Sequence, residues 1–280
     1  MARKLKPETI LKNFSRYLYG QCGLNSTTVY NHVSAIRRLF PAIGFHPTAR
    51  KANEILTNMR KAGLSYSHQA NTSVALERYG EFSHVRIKLG RPKQPRLLVP
   101  NTMSEAEISR ILAAGRTDRE RAVLVLLAYS GIRNKELCCL RVEDLDTQSQ
   151  LIRVHGAKTQ RDRVVAVVSP CLAVLVDYLK TRNGGPKDWM FLTSRNKNQL
   201  QTQDLRKMVR TVAKRAGITK RVYPHLFRHS LATNLLVRDS GILAIKEQLG
   251  HVHLQTTMRY LHSTPGRLQE EYRIHCPVYL

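Results

Sequence analysis

A stretch rich in proline, glycine and basic residues divides this sequence into two parts. Its basic residues are Arg86, Lys88, Arg91, Lys93 and Arg96, and they are interleaved with Gly90, Pro92, Pro95 and, just beyond, Pro100. Proline lacks a backbone N–H and glycine adds conformational freedom, so this stretch is not expected inside a helix. We therefore predict an extended linker over residues 86–101, between one domain at residues 1–85 and a second at residues 102–263.

The charge of the chain indicates what it binds. The 280 residues include 46 Lys and Arg against 20 Asp and Glu, which gives a formal net charge of +26. Self-repulsion on this scale is usually tolerated where the partner is a polyanion, so nucleic acid is favoured over a neutral metabolite. A protein that is merely basic, such as a ribosome-associated factor, would also bind nucleic acid.

The first hundred residues are the more uniformly positive part. They hold 17 Lys and Arg but only 4 acidic residues. A surface of this kind suits a module that grips phosphates along a DNA duplex. The basic linker could then lie along the DNA, or it could be a solvated connector between the domains.

Composition excludes several other classes of protein. Hydrophobic residues make up 42% of the chain and charged residues 24%, so it can bury a core and is not disordered. We find no apolar run long enough to span a bilayer and no signal peptide, so we expect a cytoplasmic, nucleoid-associated protein. The 5 cysteines are scattered without metal-ligand spacing, which indicates reduced thiols and no structural zinc.

The sequence of the N-terminal part predicts an all-helical structure. A helix beginning at Ser26 and Thr27 would place Val29, Val33 and Phe40 on one apolar face. Its other face would carry the polar side chains Thr28, Asn31, His32, Arg37 and Arg38. That face could enter a major groove and contact base edges and phosphates, or it could simply be solvated. Further helices are predicted over residues 7–21, 49–62 and 67–85.

The C-terminal part mixes helices with short strands. Ser104 and Glu107 form a capping-box pattern, and a second helix is predicted over residues 117–129. Residues 151–155 and 163–168 are predicted as a β-hairpin, with a third strand at 189–192. The remaining helices are predicted at 170–182, 203–216, 225–237, 241–249 and 255–261. The fold class is therefore mainly α with a small antiparallel sheet.

Four polar clusters in this part could carry chemistry. Arg133 is followed three residues later by Glu136, which could orient its guanidinium or be an ordinary surface ion pair. Lys158 stands in the hairpin turn, where most lysines only keep a sheet edge soluble. His225 and Arg228 share a face near a helix start, where an anion is favoured. The last cluster runs from Leu249-Gly250-His251 to Tyr260, and a lone tyrosine is more often structural than nucleophilic.

Together these clusters resemble the tyrosine recombinases, the family that includes phage and transposon integrases and the Xer proteins. The matching motifs, in order, are Ser130-Gly131-Ile132-Arg133 with Glu136-Leu137, Leu140-Arg141 with Glu143-Asp144, Lys158, His225-x-x-Arg228-His229, Leu249-Gly250-His251, and Thr256-Thr257 before Tyr260. The resemblance covers residues 102–263. The N-terminal part fits the family's helical DNA-binding (SAM-like) domain less specifically. Relatives often have Gly-Lys-Gly where this chain has Ala157-Lys158-Thr159, and Arg161 and Arg163 are nearby alternatives to Lys158.

The resemblance implies a mechanism. Tyr260 would attack the scissile phosphate and form a 3′-phosphotyrosine, with His225 as general acid–base and Lys158 protonating the leaving 5′-oxygen. Arg133 and Arg228 would hold the phosphate oxygens. His251 would donate a hydrogen bond to the same phosphate, and Glu136 would support the arginines. No carboxylate cluster for paired Mg²⁺ is evident, so we expect neither a metal nor another cofactor.

The resemblance also implies an assembly and leaves alternatives open. The expected enzyme is a homotetramer of two dimers that recombines double-stranded DNA at inverted-repeat core sites through a Holliday junction, with an accessory directionality protein in some systems. Residues 264–280 would form a tail or helix that docks in a neighbouring subunit or on its own domain. The role of the enzyme would be integration and excision of a mobile element, or resolution of cointegrates or replicon dimers. A type IB topoisomerase and a catalytically silent DNA-binding protein of the same fold are the alternatives.

Overall fold

The computed structural model describes residues 6–90, 102–156, 162–182, 184–193, 198–238 and 240–251. By their contacts, residues divide into two compact units, Met1–Arg96 and Leu97–Leu280. Both units are mainly helical, and the second also contains a small antiparallel sheet, so the predicted fold class is confirmed. Among the described residues, no helix has the length and apolar composition needed to cross a membrane.

Residues 6–90 form four helices. These are α1 (Pro7–Gly20), α2 (Ser26–Ile43), α3 (Ala49–Lys61) and α4 (Tyr66–Phe82). Three of them begin at a side chain that accepts a backbone N–H, namely Asn25, Thr48 and Ser65. Their apolar faces meet in one core, in which the rings of Phe14 and Tyr79 pack edge to face at 5.2 Å. The four helices predicted for this part are confirmed.

The segment after α4 packs on the same core. Ile87 and Leu89 are buried, while Arg86 and Lys88, each of which precedes one of them, are exposed. The Leu89 N–H donates to a Glu77 carboxylate oxygen at 3.0 Å, which ties this extended segment to α4. The first residues of the predicted linker therefore belong to the N-terminal unit. Arg91, Lys93 and Arg96 lie outside the described residues.

The described part of the C-terminal unit holds seven helices and three strands. The helices are α5 (Glu105–Ala113), α6 (Asp118–Ser130), α7 (Asn134–Cys139), α8 (Ser169–Lys180), α9 (Thr202–Arg215), α10 (Pro224–Val237) and α11 (Ile242–Leu249). The strands are β1 (Leu145–Asp146), β2 (Leu151–Val154) and β3 (Arg163–Ala166). The capping box of Ser104 and Glu107 is present at the start of α5. Residues 122–128 of α6 are apolar on all sides of the helix because this part lies within the core.

The sheet differs from the prediction in its third strand. Its order is β1-β2-β3, with Ile152 paired to both Leu145 and Val165. The hairpin of β2 and β3 is confirmed, but the strand predicted at residues 189–192 is wrong. That segment makes only isolated β-bridges, in which Trp189 pairs with Arg141 and Leu192 pairs with Gln199. In the described part of the chain, the carbonyls of Trp189 and Met190 accept from the Arg182 guanidinium and not from the N–H groups of a neighbouring strand. The helix predicted at 255–261 lies outside the described residues.

Candidate active site

The end of α6 places Arg133. Gly131 ends the helix in the left-handed region at φ 64°, and a Cβ atom there would lie 2.6 Å from Leu249 Cδ2. Only glycine suits this position, both for its backbone conformation and for the close approach of α11. Arg133 then precedes the first residue of α7, so its side chain leaves the chain at a helix start.

Glu136 joins two arginines at this helix start. One carboxylate oxygen accepts from the Arg133 guanidinium at 2.7 Å, and the other accepts from the Arg133 backbone N–H at 2.8 Å. The guanidinium of Arg163 at the start of β3 donates to both oxygens, at 2.7 and 2.9 Å. Burial opposes ionisation of Glu136, but these hydrogen bonds and the charge of Arg163 outweigh it and lower its pKa to about 2. The carboxylate is therefore ionised and holds Arg133 in one orientation.

Arg228 is the most enclosed cation of the site. It lies on α10 with 2% of its surface exposed, and its guanidinium donates to the Gly131 carbonyl at 2.7 Å. His225 and His229 lie on the same helix, with their rings edge to face at 4.6 Å. Helix α10 thus carries a buried arginine and two histidines on the side that meets the end of α6.

The turn after α11 completes the cluster. Gly250 ends the helix in the left-handed region at φ 62°, and its carbonyl accepts from the Arg133 guanidinium at 2.7 Å. His251 follows and is buried. The contact between Arg133 and Gly250 places Arg133 beside the turn that carries His251, although the two residues are far apart in sequence.

Burial and the neighbouring cations keep His225 and His251 neutral. Burial and, after it, the charges of Arg228 and Arg133 together lower the pKa of His251 to about 4. The pKa of His225 is lowered by partial desolvation and by His229, Arg228 and Arg133, although its side chain keeps a solvent-exposed face. Both imidazoles are therefore neutral at neutral pH. A phosphate bound beside them would raise both pKa values, because it brings negative charge.

The structure thus brings together Arg133, Glu136, His225, Arg228 and His251. Lys158 and Tyr260 lie outside the described residues, as does Arg161. Arg163, which the sequence offers as an alternative to Lys158, is paired with Glu136, and its side chain is 16% exposed. Among the described residues, no three His, Cys, Asp or Glu side chains stand close enough together to hold a metal ion.

We expect the stability of the C-terminal unit to fall as the pH decreases from 6.5 to 4. His251 has a pKa of about 4 in the folded chain against 6.5 ordinarily, so between these values the unfolded chain binds more protons. In urea unfolding at pH 7, 6, 5 and 4, the wild type should lose about 1–3 kcal/mol more than His251→Asn, which cannot titrate. Parallel stability curves for the two proteins would contradict this assignment.

The predicted DNA-binding residues of helix α2 line one groove. Thr28, Asn31, His32, Arg37 and Arg38 border a cavity of about 700 Å³ between α2 and α4. Helix α4 contributes polar residues that the sequence analysis did not single out, namely His68, Asn71 and Thr72. His68 and Asn71 are exposed, whereas Thr72 is buried. Burial and the charge of Arg78 lower the pKa of His32, so its ring is neutral at neutral pH. Arg86 and Lys88 are exposed on the same unit, after α4.

Replacing Arg37 by alanine should weaken DNA binding by a similar factor for every DNA sequence. Its exposed guanidinium borders the α2–α4 groove, where it can neutralise a phosphate. One lost phosphate contact should reduce the slope of log affinity against log salt by about 0.9. Arg16→Ala on α1 removes an equally exposed cation that does not border this groove, and it is the control. Equal changes of slope in both variants would argue against the groove as the interface.

Comparisons with known proteins agree on one family. The phage integrase family model matches residues 101–267. The chain is 33% identical to tyrosine recombinase XerA of Pyrococcus horikoshii over 266 residues, which cover 93% of this chain and 91% of that protein. A crystal structure of XerA recombinase shares 28% identity with a TM-score of 0.58, covering 98% of this chain and all of that chain.

A complex of the Tn1549 transposon integrase with transposon right-end DNA has the same fold. It gives a TM-score of 0.75 at 18% identity and covers 96% of this chain and 99% of that chain. The match to the family model extends over more than half of the sequence and includes every residue of the cluster around Arg133 and Arg228. The chain therefore belongs to the phage integrase family, and it is a tyrosine recombinase, an enzyme of site-specific recombination that acts on DNA.

Proposed function

We propose that this chain cuts and rejoins DNA strands through a covalent 3′-phosphotyrosine intermediate. Tyr260 would attack the scissile phosphate and release a free 5′-hydroxyl. Because the new phosphodiester bond conserves the energy of the broken one, the strand can be resealed without a cofactor. The observation that supports the proposal most is the convergence of Arg133, Arg228, His225 and His251 from α6, α10 and α11.

Each member of this cluster receives a role. Arg133 and Arg228 would bind the non-bridging phosphate oxygens and stabilise the charge of the pentavalent transition state. Neutral His225 would accept the phenol proton of Tyr260, and His251 would donate a hydrogen bond to the phosphate. Glu136 would act through the two arginines that it orients.

Protonation of the leaving 5′-oxygen is assigned to Lys158. The strands that precede and follow its turn, β2 and β3, are paired from Val154 with Arg163 onward. Arg163 donates to both oxygens of Glu136, so it is already committed to a carboxylate. In this proposal Arg163 supports Glu136 and does not replace Lys158.

The assembly belongs to the proposal as well. We expect a homotetramer of two dimers on inverted-repeat core sites, exchanging strands through a Holliday junction in the cytoplasm, on the nucleoid. Residues 1–85 and 102–263 would clamp the DNA, residues 86–101 would connect the two domains, and residues 264–280 would dock in a neighbouring subunit. The biological outcome would be integration or excision of a mobile element, or resolution of replicon dimers, with an accessory protein setting direction in some systems.

Covalent trapping on nicked DNA tests the proposal. Fragments from the ends of the element or region that encodes the gene would be incubated with wild type in EDTA and run on denaturing gels. We expect an SDS-resistant adduct that Tyr260→Phe abolishes, while Tyr272→Phe, which removes a different tyrosine hydroxyl of the same C-terminal segment, retains it. Tight binding without an adduct would indicate a silent DNA-binding protein. Relaxation of supercoils by a monomer without sequence preference would indicate topoisomerase chemistry.

A further inference from the structure

The side chain of Gln248 joins three backbone segments of the catalytic unit. It extends from the last turn of α11, and its carboxamide oxygen accepts from the Ala166 N–H at 3.1 Å. Its carboxamide nitrogen donates to the Ala166 carbonyl at 2.9 Å and to the Ser130 carbonyl at 3.2 Å. The amide therefore uses both of its N–H donors and its oxygen on main-chain groups of α6 and β3.

Each of these segments carries a charged or titratable group of the site. Ser130 is the last residue of α6 and stands three residues before Arg133. Ala166 ends β3, the strand that begins with Arg163. Gln248 itself precedes Gly250, which binds Arg133, and His251. The Gln248 carboxamide thus bonds the segment that leads to Arg133 and belongs to the turn that leads to His251.

A carboxamide is the group that this junction requires. Strand β3 is at an edge of the described sheet, and Gln248 bonds both backbone groups of Ala166 as a neighbouring strand would. A glutamate would accept from the Ala166 N–H but would place a negative charge beside two carbonyl oxygens. A methionine of similar length would bond none of the three groups.

We propose that Gln248 is a positioning residue that fixes the end of α6, strand β3 and the turn after α11 relative to one another. In this way it sets the spacing of Arg133 and His251, which matters for the rate only if both act on one phosphate, so the inference rests on the proposed function. Displacement of a reacting group by about 1 Å can lower a rate about 10²-fold.

Three variants test this inference. Gln248→Met removes all three hydrogen bonds, and Gln248→Glu keeps only the one from the Ala166 N–H. Gln199→Met is the matched control, because Gln199 is also half-buried and its amide donates to a main-chain carbonyl, that of Cys138, at 2.9 Å. Each protein would be measured for melting temperature, DNA affinity and single-turnover cleavage at saturating enzyme, well below its melting temperature. We expect both Gln248 variants to cleave about 10- to 100-fold more slowly with unchanged DNA affinity, and Gln199→Met to lose stability alone.

Hydrogen exchange of the free protein tests the positioning role of Gln248 independently of DNA cleavage. We expect Gln248→Met to speed exchange at the amides of Ile132, Arg133 and His251, and Gln199→Met not to do so. Unchanged exchange, or cleavage rates that fall equally in the Gln248 and Gln199 variants, would overturn the role of Gln248. Absence of an adduct with wild type, together with faster exchange in Gln248→Met, would overturn the phosphotyrosine proposal and leave the positioning of the three segments established.

Discussion

Arg228→Lys is expected to lower the single-turnover rate of DNA cleavage by about 10²- to 10⁴-fold, by analogy with the loss of an oxyanion-hole donor. Arg228 is 2% exposed, so its charge acts on a bound phosphate with little screening by water. Lysine keeps the charge but places all its donors on one nitrogen. It cannot hold the Gly131 carbonyl and a phosphate oxygen in the fixed geometry of a guanidinium.

DNA binding should survive this change, which separates the effect from a loss of affinity. The groove between α2 and α4, where we place the main phosphate contacts, belongs to the N-terminal unit. A suitable control is Arg119→Lys, because the Arg119 guanidinium also donates to a main-chain carbonyl, that of Leu192, at 2.7 Å. The control should cleave at nearly the wild-type rate. If both variants lost the same rate, the effect would be one of folding, and the melting temperatures would show it.

Local signals in the sequence were sufficient to predict most of the helices. The capping residues Ser104 and Thr117 mark helix starts, and Gly131 and Gly250 mark helix ends, because each acts within one turn of the chain. The strand predicted at residues 189–192 was wrong. Its composition is β-like, but the carbonyls of Trp189 and Met190 accept from the Arg182 side chain, and composition alone does not reveal that contact. Strand β1 has only two residues, too few for any periodic pattern.

The sequence predicted which residues form the candidate site better than it predicted the contacts between them. The proximity of Arg133 and Glu136 follows from a spacing of three residues. The second partner of Glu136, Arg163, is 27 residues away on a strand, and the contact of Arg133 with Gly250 spans 117 residues. Such pairs depend on how helices pack, which one sequence does not encode in any local pattern. His68 and Asn71 of α4 were not predicted as part of the DNA interface because they join it only through the packing of α4 beside α2.

Glu136→Gln should have the largest effect on stability among the substitutions considered. Its side chain is 10% exposed and receives hydrogen bonds from two arginines, of which Arg163 is 16% and Arg133 28% exposed. Glutamine keeps the shape but removes the negative charge, and its N–H groups would face those of the guanidinium groups. Loss of one partner from a buried ion pair typically costs about 3–5 kcal/mol, because the remaining charge is left uncompensated. We expect a loss near the lower end, since Arg133 is partly solvated.

The pH dependence of the effect identifies its source. Because the pKa of Glu136 is lowered from 4.5 to about 2, its contribution is complete above pH 4.5 and is lost as the pH falls toward 2. Urea unfolding should therefore show a difference between wild type and Glu136→Gln that is constant from pH 5 to 7 and shrinks below pH 4.5. This window lies below most of the range in which His251 titrates, so the two contributions can be separated.

Glu120→Gln distinguishes loss of stability from loss of catalysis. Glu120 is 15% exposed and pairs with Arg215 at 2.9 Å, so its environment resembles that of Glu136, but its partner supports α5 and α6 and not the phosphate-binding cluster. Both variants should be less stable than wild type. Only Glu136→Gln should also cleave more slowly well below its melting temperature, by about 10- to 100-fold, since Arg133 would lose the carboxylate that orients it. A normal cleavage rate in Glu136→Gln would mean that Gly250 alone is sufficient to hold Arg133 against the phosphate.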